Sequence, residues 1–127
     1  MSYLFDTNIF LEILLDQAKK NDAKQFMTEN IDRLYISDFS LHSIGLILIQ
    51  QKKYQVLRAF LDDFIPRATV LGLPKNKYSD LNLFAEIHAL DFDDSYQVMI
   101  AKEYDLVLVT MDKDFLKVND LIKIKFL

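Results

Sequence analysis

The segment that most narrows the fold is Leu106-Val107-Leu108-Val109-Thr110. It is a continuous apolar run that lacks the in–out alternation of a strand with one wet face. Such a run reads as a strand buried on both sides, the situation found in parallel sheets covered by helices. Tyr3-Leu4-Phe5, Leu34-Tyr35-Ile36 and Thr69-Val70-Leu71 read as shorter strands, the last closed by Gly72. Residues 122–126 alternate and are expected to form an exposed edge strand. Helical spacing separates these runs at residues 9–18, 20–30 and 41–52, the third capped by Asp38 or Ser40. Further helices are expected at 56–64, ending before Pro66, at about 75–89, and from Asp93 or Asp94 to near Asp105. A short one is expected at Lys113–Val118. Strands alternating with helices predict an α/β fold with a mostly parallel sheet of about four to five strands and helices on both faces.

Composition sets outer limits. A chain of 127 residues is expected to form one domain, residues 1–127, and 51% hydrophobic residues suffice for a packed core. With two Gly and two Pro, most of the chain should lie in regular elements. The absence of Cys excludes disulfides, thiolate metal sites and a Cys nucleophile, and fits a cytoplasmic location. No signal peptide is read, and the apolar stretch at residues 9–15 is too short to span a bilayer, so no membrane role is expected. A net charge of −4 argues against a protein that coats nucleic acid with a basic face. Contact with nucleic acid would need a local patch, or metal ions that reverse the sign of an acidic pocket.

Acidic residues fall where such a pocket would form. Asp6 directly follows the first strand and Asp112 follows the buried one, so both lie on the carboxyl rim of the sheet. In α/β sheets that rim holds the ligand site. Asp94, at the start of the preceding helix, would reach the rim from its first turn. Grouped carboxylates repel, and one would take up a proton unless a cation intervened. Mg2+ and Mn2+ prefer such oxygen ligands and serve phosphodiester hydrolysis. Each segment also has a plainer reading. Asp6-Thr7-Asn8 can be a helix cap, Asp91-Phe92-Asp93-Asp94 a capping cluster, and Asp112-Lys113-Asp114 a surface turn. Their joint occurrence at strand ends is the signal.

These segments together resemble the PIN-domain family, including the VapC-type toxins. Tyr3-Leu4-Phe5-Asp6-Thr7-Asn8 is similar to the family's opening strand. Asp94 with its helix, followed by Leu108-Val109-Thr110-Met111-Asp112-Lys113-Asp114-Phe115, is similar to its closing half. The resemblance implies a three-layer PIN-like fold. It implies that Asp6, Asp94 and Asp112 are catalytic residues binding Mg2+ or Mn2+. Asn8 and Thr110 are then supporting polar groups, Asp114 is structural or supporting, and Asp91 and Asp93 are alternatives that supplement Asp94. The pattern departs at Ser43, which stands where the family usually has a Glu; His42 and Asp38 are the neighbours that could compensate.

The implied activity is endoribonuclease cleavage of RNA by the toxin of a type II toxin–antitoxin pair. Its expected partners are RNA, a small antitoxin and a second copy in a homodimer, with Lys113 and Lys117 as candidate backbone contacts. The rival reading is a PIN-like RNA- or protein-binding module with weakened catalysis, supported by Ser43. A receiver-like phosphoacceptor domain fits less well, because its Asp would follow a central strand rather than the N-terminal one.

Overall fold

A computed structural model describes residues 1–127. Five short strands, β1 (Tyr3–Phe5), β2 (Leu34–Ser37), β3 (Thr69–Leu71), β4 (Val107–Thr110) and β5 (Ile124–Phe126), form one sheet in the order β3-β2-β1-β4-β5. Every neighbouring pair is parallel. Six α-helices connect and cover them: α1 (Thr7–Leu14), α2 (Lys20–Glu29), α3 (Asp38–Gln50), α4 (Tyr54–Ala59), α5 (Tyr78–His88) and α6 (Phe92–Tyr104).

Period-two alternation along the inner strands builds the three layers. Leu4 and Leu108 join Leu81, Phe84, Tyr96 and Ile100 in the core under α5 and α6. Their neighbours Phe5 and Val109 face the other way and join Ile9, Phe10, Ile44 and Leu48 under α1 and α3. All four residues of β4 are buried, as a strand covered on both faces requires.

The sequence expectations differ from the structure mainly at element ends. Ser37 caps α3, its Oγ accepting from the Ser40 N–H at 3.0 Å, rather than Asp38 or Ser40. Asp91 caps α6, accepting from the Asp94 N–H at 2.8 Å, so the helix begins before Asp93. The expected helix at 56–64 is α only to Ala59. Pro66 has no N–H for the ladder, and the chain runs out through a π turn (Phe60–Phe64) and a 3-10 turn (Ile65–Arg67). Lys113–Val118 is a 3-10 helix.

The strand order gives the site its place. From β1 the chain moves outward to β2 and β3, then returns to lay β4 on the opposite side of β1. The reversal lies between β1 and β4, where the two covering layers part and leave a crevice at the carboxyl ends. Asp6 and Asp112 are the residues that follow these strands closely.

Because Leu108 is fully buried between the layers, Leu108→Ala should lower unfolding free energy by about 2–5 kcal/mol in denaturant titration. Leu46→Ala, at a position 53% exposed on α3, should change it by less than about 1 kcal/mol.

Candidate metal centre

Asp6 is buried at the back of this crevice and held by donors from three elements. Its backbone N–H continues the β1–β4 ladder to the Val109 carbonyl at 2.9 Å. Its Oδ1 accepts from the Thr7 N–H at 2.9 Å and from Gln97 Nε2 on α6 at 3.1 Å. Its Oδ2 accepts from Thr110 Oγ1 on β4 at 2.8 Å. Burial raises the Asp6 pKa, the three hydrogen bonds oppose the rise, and the charge of Asp112 adds to it. Asp6 is thus also the N-cap of α1, so the capping and site readings of this residue are compatible.

Thr110 links the first acid to the next. Its hydroxyl donates to Asp6 and accepts the Asp112 N–H at 3.0 Å. Asp112 in turn caps the 3-10 helix through the Asp114 N–H at 2.9 Å. That turn brings Asp114 back toward α6. Asp94, Asp112 and Asp114 each offer a carboxylate oxygen within 4.8 Å of the others. Asp94 carries the cost of this crowding. Its pKa is raised to about 7, first by burial and then by the charges of Asp91, Asp112, Asp6 and Asp114. The neighbouring Asp93 is also raised, by burial and by Asp91.

Asp6, Asp93, Asp94 and Asp112 line one cleft of about 300 Å3 together with Thr7, Asn8 and Ser43. Ser43 therefore faces the acids. Asp38 and His42 do not line this cleft; they line a hollow beside it, so neither stands in for an acid at Ser43. Asn8 Oδ1 approaches the Met111 N–H at 3.5 Å, a weak tie between α1 and the end of β4. The expected cations are engaged elsewhere. Lys113 Nζ lies 4.5 Å from the centre of the Phe126 ring, and Lys117 donates to the Ala89 carbonyl at 3.1 Å.

A buried hydroxyl–amide chain behind the cleft was not anticipated from the sequence. Gln97 Nε2 donates to Asp6 and, at 2.7 Å, to Ser40 Oγ. Ser37 Oγ also donates to Ser40 Oγ, at 3.2 Å. With both its lone pairs used, Ser40 gives its own proton to Thr7 Oγ1, 2.8 Å away. The Thr7 proton is then left for the cleft that Thr7 lines. The one available signal was Gln97 itself, a polar residue in the stretch of α6 where Tyr96, Val98, Ile100 and Ala101 are buried.

The donor set is all oxygen, acidic and crowded, which suits a hard divalent cation and no soft metal. Without one, the native chain holds protons on Asp94, Asp93 and Asp6 more tightly than the unfolded chain does. These groups stabilise the fold fully below their unfolded pKa values, and that contribution is lost as pH rises through the folded ones. In chelator, the melting temperature should therefore fall as pH rises from about 4 to about 7, and Asp94→Asn should flatten the slope. An unchanged slope in that variant would show that the proton sits elsewhere.

The family model described as PIN domain matches residues 3–121. No curated protein matches the sequence. Several solved structures share the fold. The VapBC2 complex of Rickettsia felis, bound to a DNA fragment from its promoter, aligns over 99% of this chain and 98% of its own at 18% identity, with TM-score 0.80. A toxin–antitoxin complex from Klebsiella pneumoniae aligns over 90% of each chain at 22% identity, with TM-score 0.72. The Mycobacterium tuberculosis toxin VapC20, described as cleaving the sarcin–ricin loop, aligns over 91% of this chain and 93% of its own at 14% identity, with TM-score 0.75. At these identities the likeness is one of fold.

Proposed function

The chain belongs to the PIN-domain family, and from that premise we propose that it is a metal-dependent endoribonuclease, the toxin of a type II toxin–antitoxin pair. The observation that carries the reading is the approach of Asp94, Asp112 and Asp114 to within 4.8 Å of one another at the rim of the cleft that Asp94 and Asp112 line together with Asp6. In this reading Asp94 and Asp112 hold Mg2+ or Mn2+, with Asp114 adding a carboxylate from the rim and Asp6 adding charge from the back wall. Residues 1–127 form one catalytic domain.

When bound, the divalent ion supplies a Lewis acid that polarises a phosphodiester and lowers the pKa of water. The protein's own part is positional. Thr110 and Gln97 fix the Asp6 carboxylate, so its charge stays aimed at the cleft. Asp94 must release a proton held near neutrality before it can act as a ligand. Cation binding and proton release are then coupled, and metal affinity rises with pH up to about 7. The Thr7 hydroxyl offers a proton toward a phosphate oxygen in the cleft.

Solved relatives of the same fold are complexes of toxin with antitoxin, which favours an antitoxin partner here as well. Leu46 and Ile49 on α3 are about half exposed and are candidates for that contact or for a homodimer. Ser43 favours a second reading, a PIN-like module that binds RNA or protein and cuts slowly, because a serine adds no charge to the cleft.

Cleavage of unpaired RNA is expected with Mn2+, and should fall to background in chelator, in Asp6→Ala and in Asp112→Asn. Ser43→Glu should tighten Mn2+ binding. RNA binding without any metal-supported cleavage would favour the binding module, and cleavage that survives both chelation and Asp6→Ala would contradict the mechanism.

A further inference from the structure

Beside the acidic cleft lies a second hollow of about 380 Å3, lined by Asp38, Phe39, His42, Tyr78, Phe92 and Tyr96. Phe39 lines both hollows, so the two share a wall. Tyr96 is buried and forms the floor, its ring 6.0 Å from Phe39 and 6.1 Å from Tyr78 between centres. Its hydroxyl accepts the Leu73 N–H at 3.0 Å and donates to Asp38 Oδ1 at 2.7 Å, which fixes ring and carboxylate together.

Two features of this hollow have no use inside the chain. Phe92 is 57% exposed at the first position of α6, with no aromatic partner among the ring pairs. An apolar ring left in water two residues before Asp94 costs stability and earns nothing internally. Asp38 spends Oδ1 on the Phe39 N–H, at 2.7 Å, and on Tyr96, while Oδ2 has no hydrogen-bond partner. Gly72 leaves room for that carboxylate, since a Cβ there would stand 2.9 Å from Oδ2.

We propose that this aromatic hollow binds one unpaired nucleobase of an RNA strand whose backbone runs through the adjoining acidic cleft. The inference rests on the ribonuclease reading for the position of the backbone, and on Phe92, Tyr78 and Asp38 for the base. Exposed aromatic faces stack bases whatever their identity. Each of the four bases carries an N–H on its Watson–Crick edge, and that donor is free for the Asp38 acceptor only when the base is unpaired. The hollow thus selects single strands over duplexes. No Lys or Arg lines it, which disfavours a phosphate there. Exposed aliphatic residues, the usual seat of a partner helix, lie outside this hollow, at Leu83 and Ile87 in a different one and at Leu46 and Ile49 on α3.

The test uses an unpaired RNA oligonucleotide with the fluorescent base 2-aminopurine substituted at each position in turn, mixed with protein and Mn2+. Stacking should quench fluorescence at one position or two adjacent ones, with cleavage read by gel in the same samples. Phe92→Ala should abolish the quench and raise KM about ten-fold with kcat little changed, and Phe92→Trp should restore both. Phe92 is exposed, so the variant should fold, and its melting temperature checks this. Cleavage by wild type with a KM unchanged in Phe92→Ala would overturn the base site and leave the nuclease reading standing. A quench sensitive to Phe92 without cleavage would support the base site and contradict the nuclease reading. RNA binding indifferent to Phe92, with binding of a copurifying protein lost in the variant, would overturn the base site in favour of protein docking.

Discussion

The carboxylate of Asp6 is the constraint on which the rest of the site depends. A carboxylate taken out of water costs several kcal/mol unless donors replace the lost hydration. Here they come from the start of α1, the middle of α6 and the end of β4. One buried charge therefore locks three segments distant in sequence into a single register. Thr110 carries the register onward, because the oxygen that donates to Asp6 also accepts the Asp112 N–H. The position of the rim acids follows from the satisfaction of the buried one.

Electrostatics then runs in the opposite sense. The fold that satisfies Asp6 crowds Asp94 against Asp91, Asp112, Asp6 and Asp114. Nothing basic relieves it, since Lys113 and Lys117 are turned to other partners. A structure that tolerates such repulsion without an internal counter-ion is suited to an external one. Ser43 lowers the charge by one relative to the pattern the chain otherwise resembles. The proximity of Asp114 to Asp94 and Asp112 restores an acid from the rim, although its position differs from that of the missing one.

Much of the fold was legible because the sheet is buried on both faces. Four of the strands are short apolar runs, and the alternation of Leu4 with Phe5 and of Leu108 with Val109 places side chains in two cores. Helix starts were less legible. Ser37, Asp38 and Ser40 are all residues that cap well, and only the tertiary structure, with Ser40 tied to Thr7 and Gln97, decides which one does. Asp6 and Asp112 could be placed near one rim from strand ends, and Asp94 from the start of its helix. The approach of Asp114 could not, because it depends on the tightness of a 3-10 turn. Gln97 was hidden for a different reason. Its role appears only when α6 lies over β1, ninety-one residues away in the chain.

The central claim is that crowding makes Asp94 a proton-holding carboxylate which a divalent cation converts to a ligand. Its carboxyl carbon, followed by NMR across a pH titration, reports this directly. Without metal it should titrate near 7, and with saturating Mg2+ the same carboxyl should remain ionised well below that pH. Titration near the ordinary value of 3.8, unmoved by Mg2+, would contradict the account.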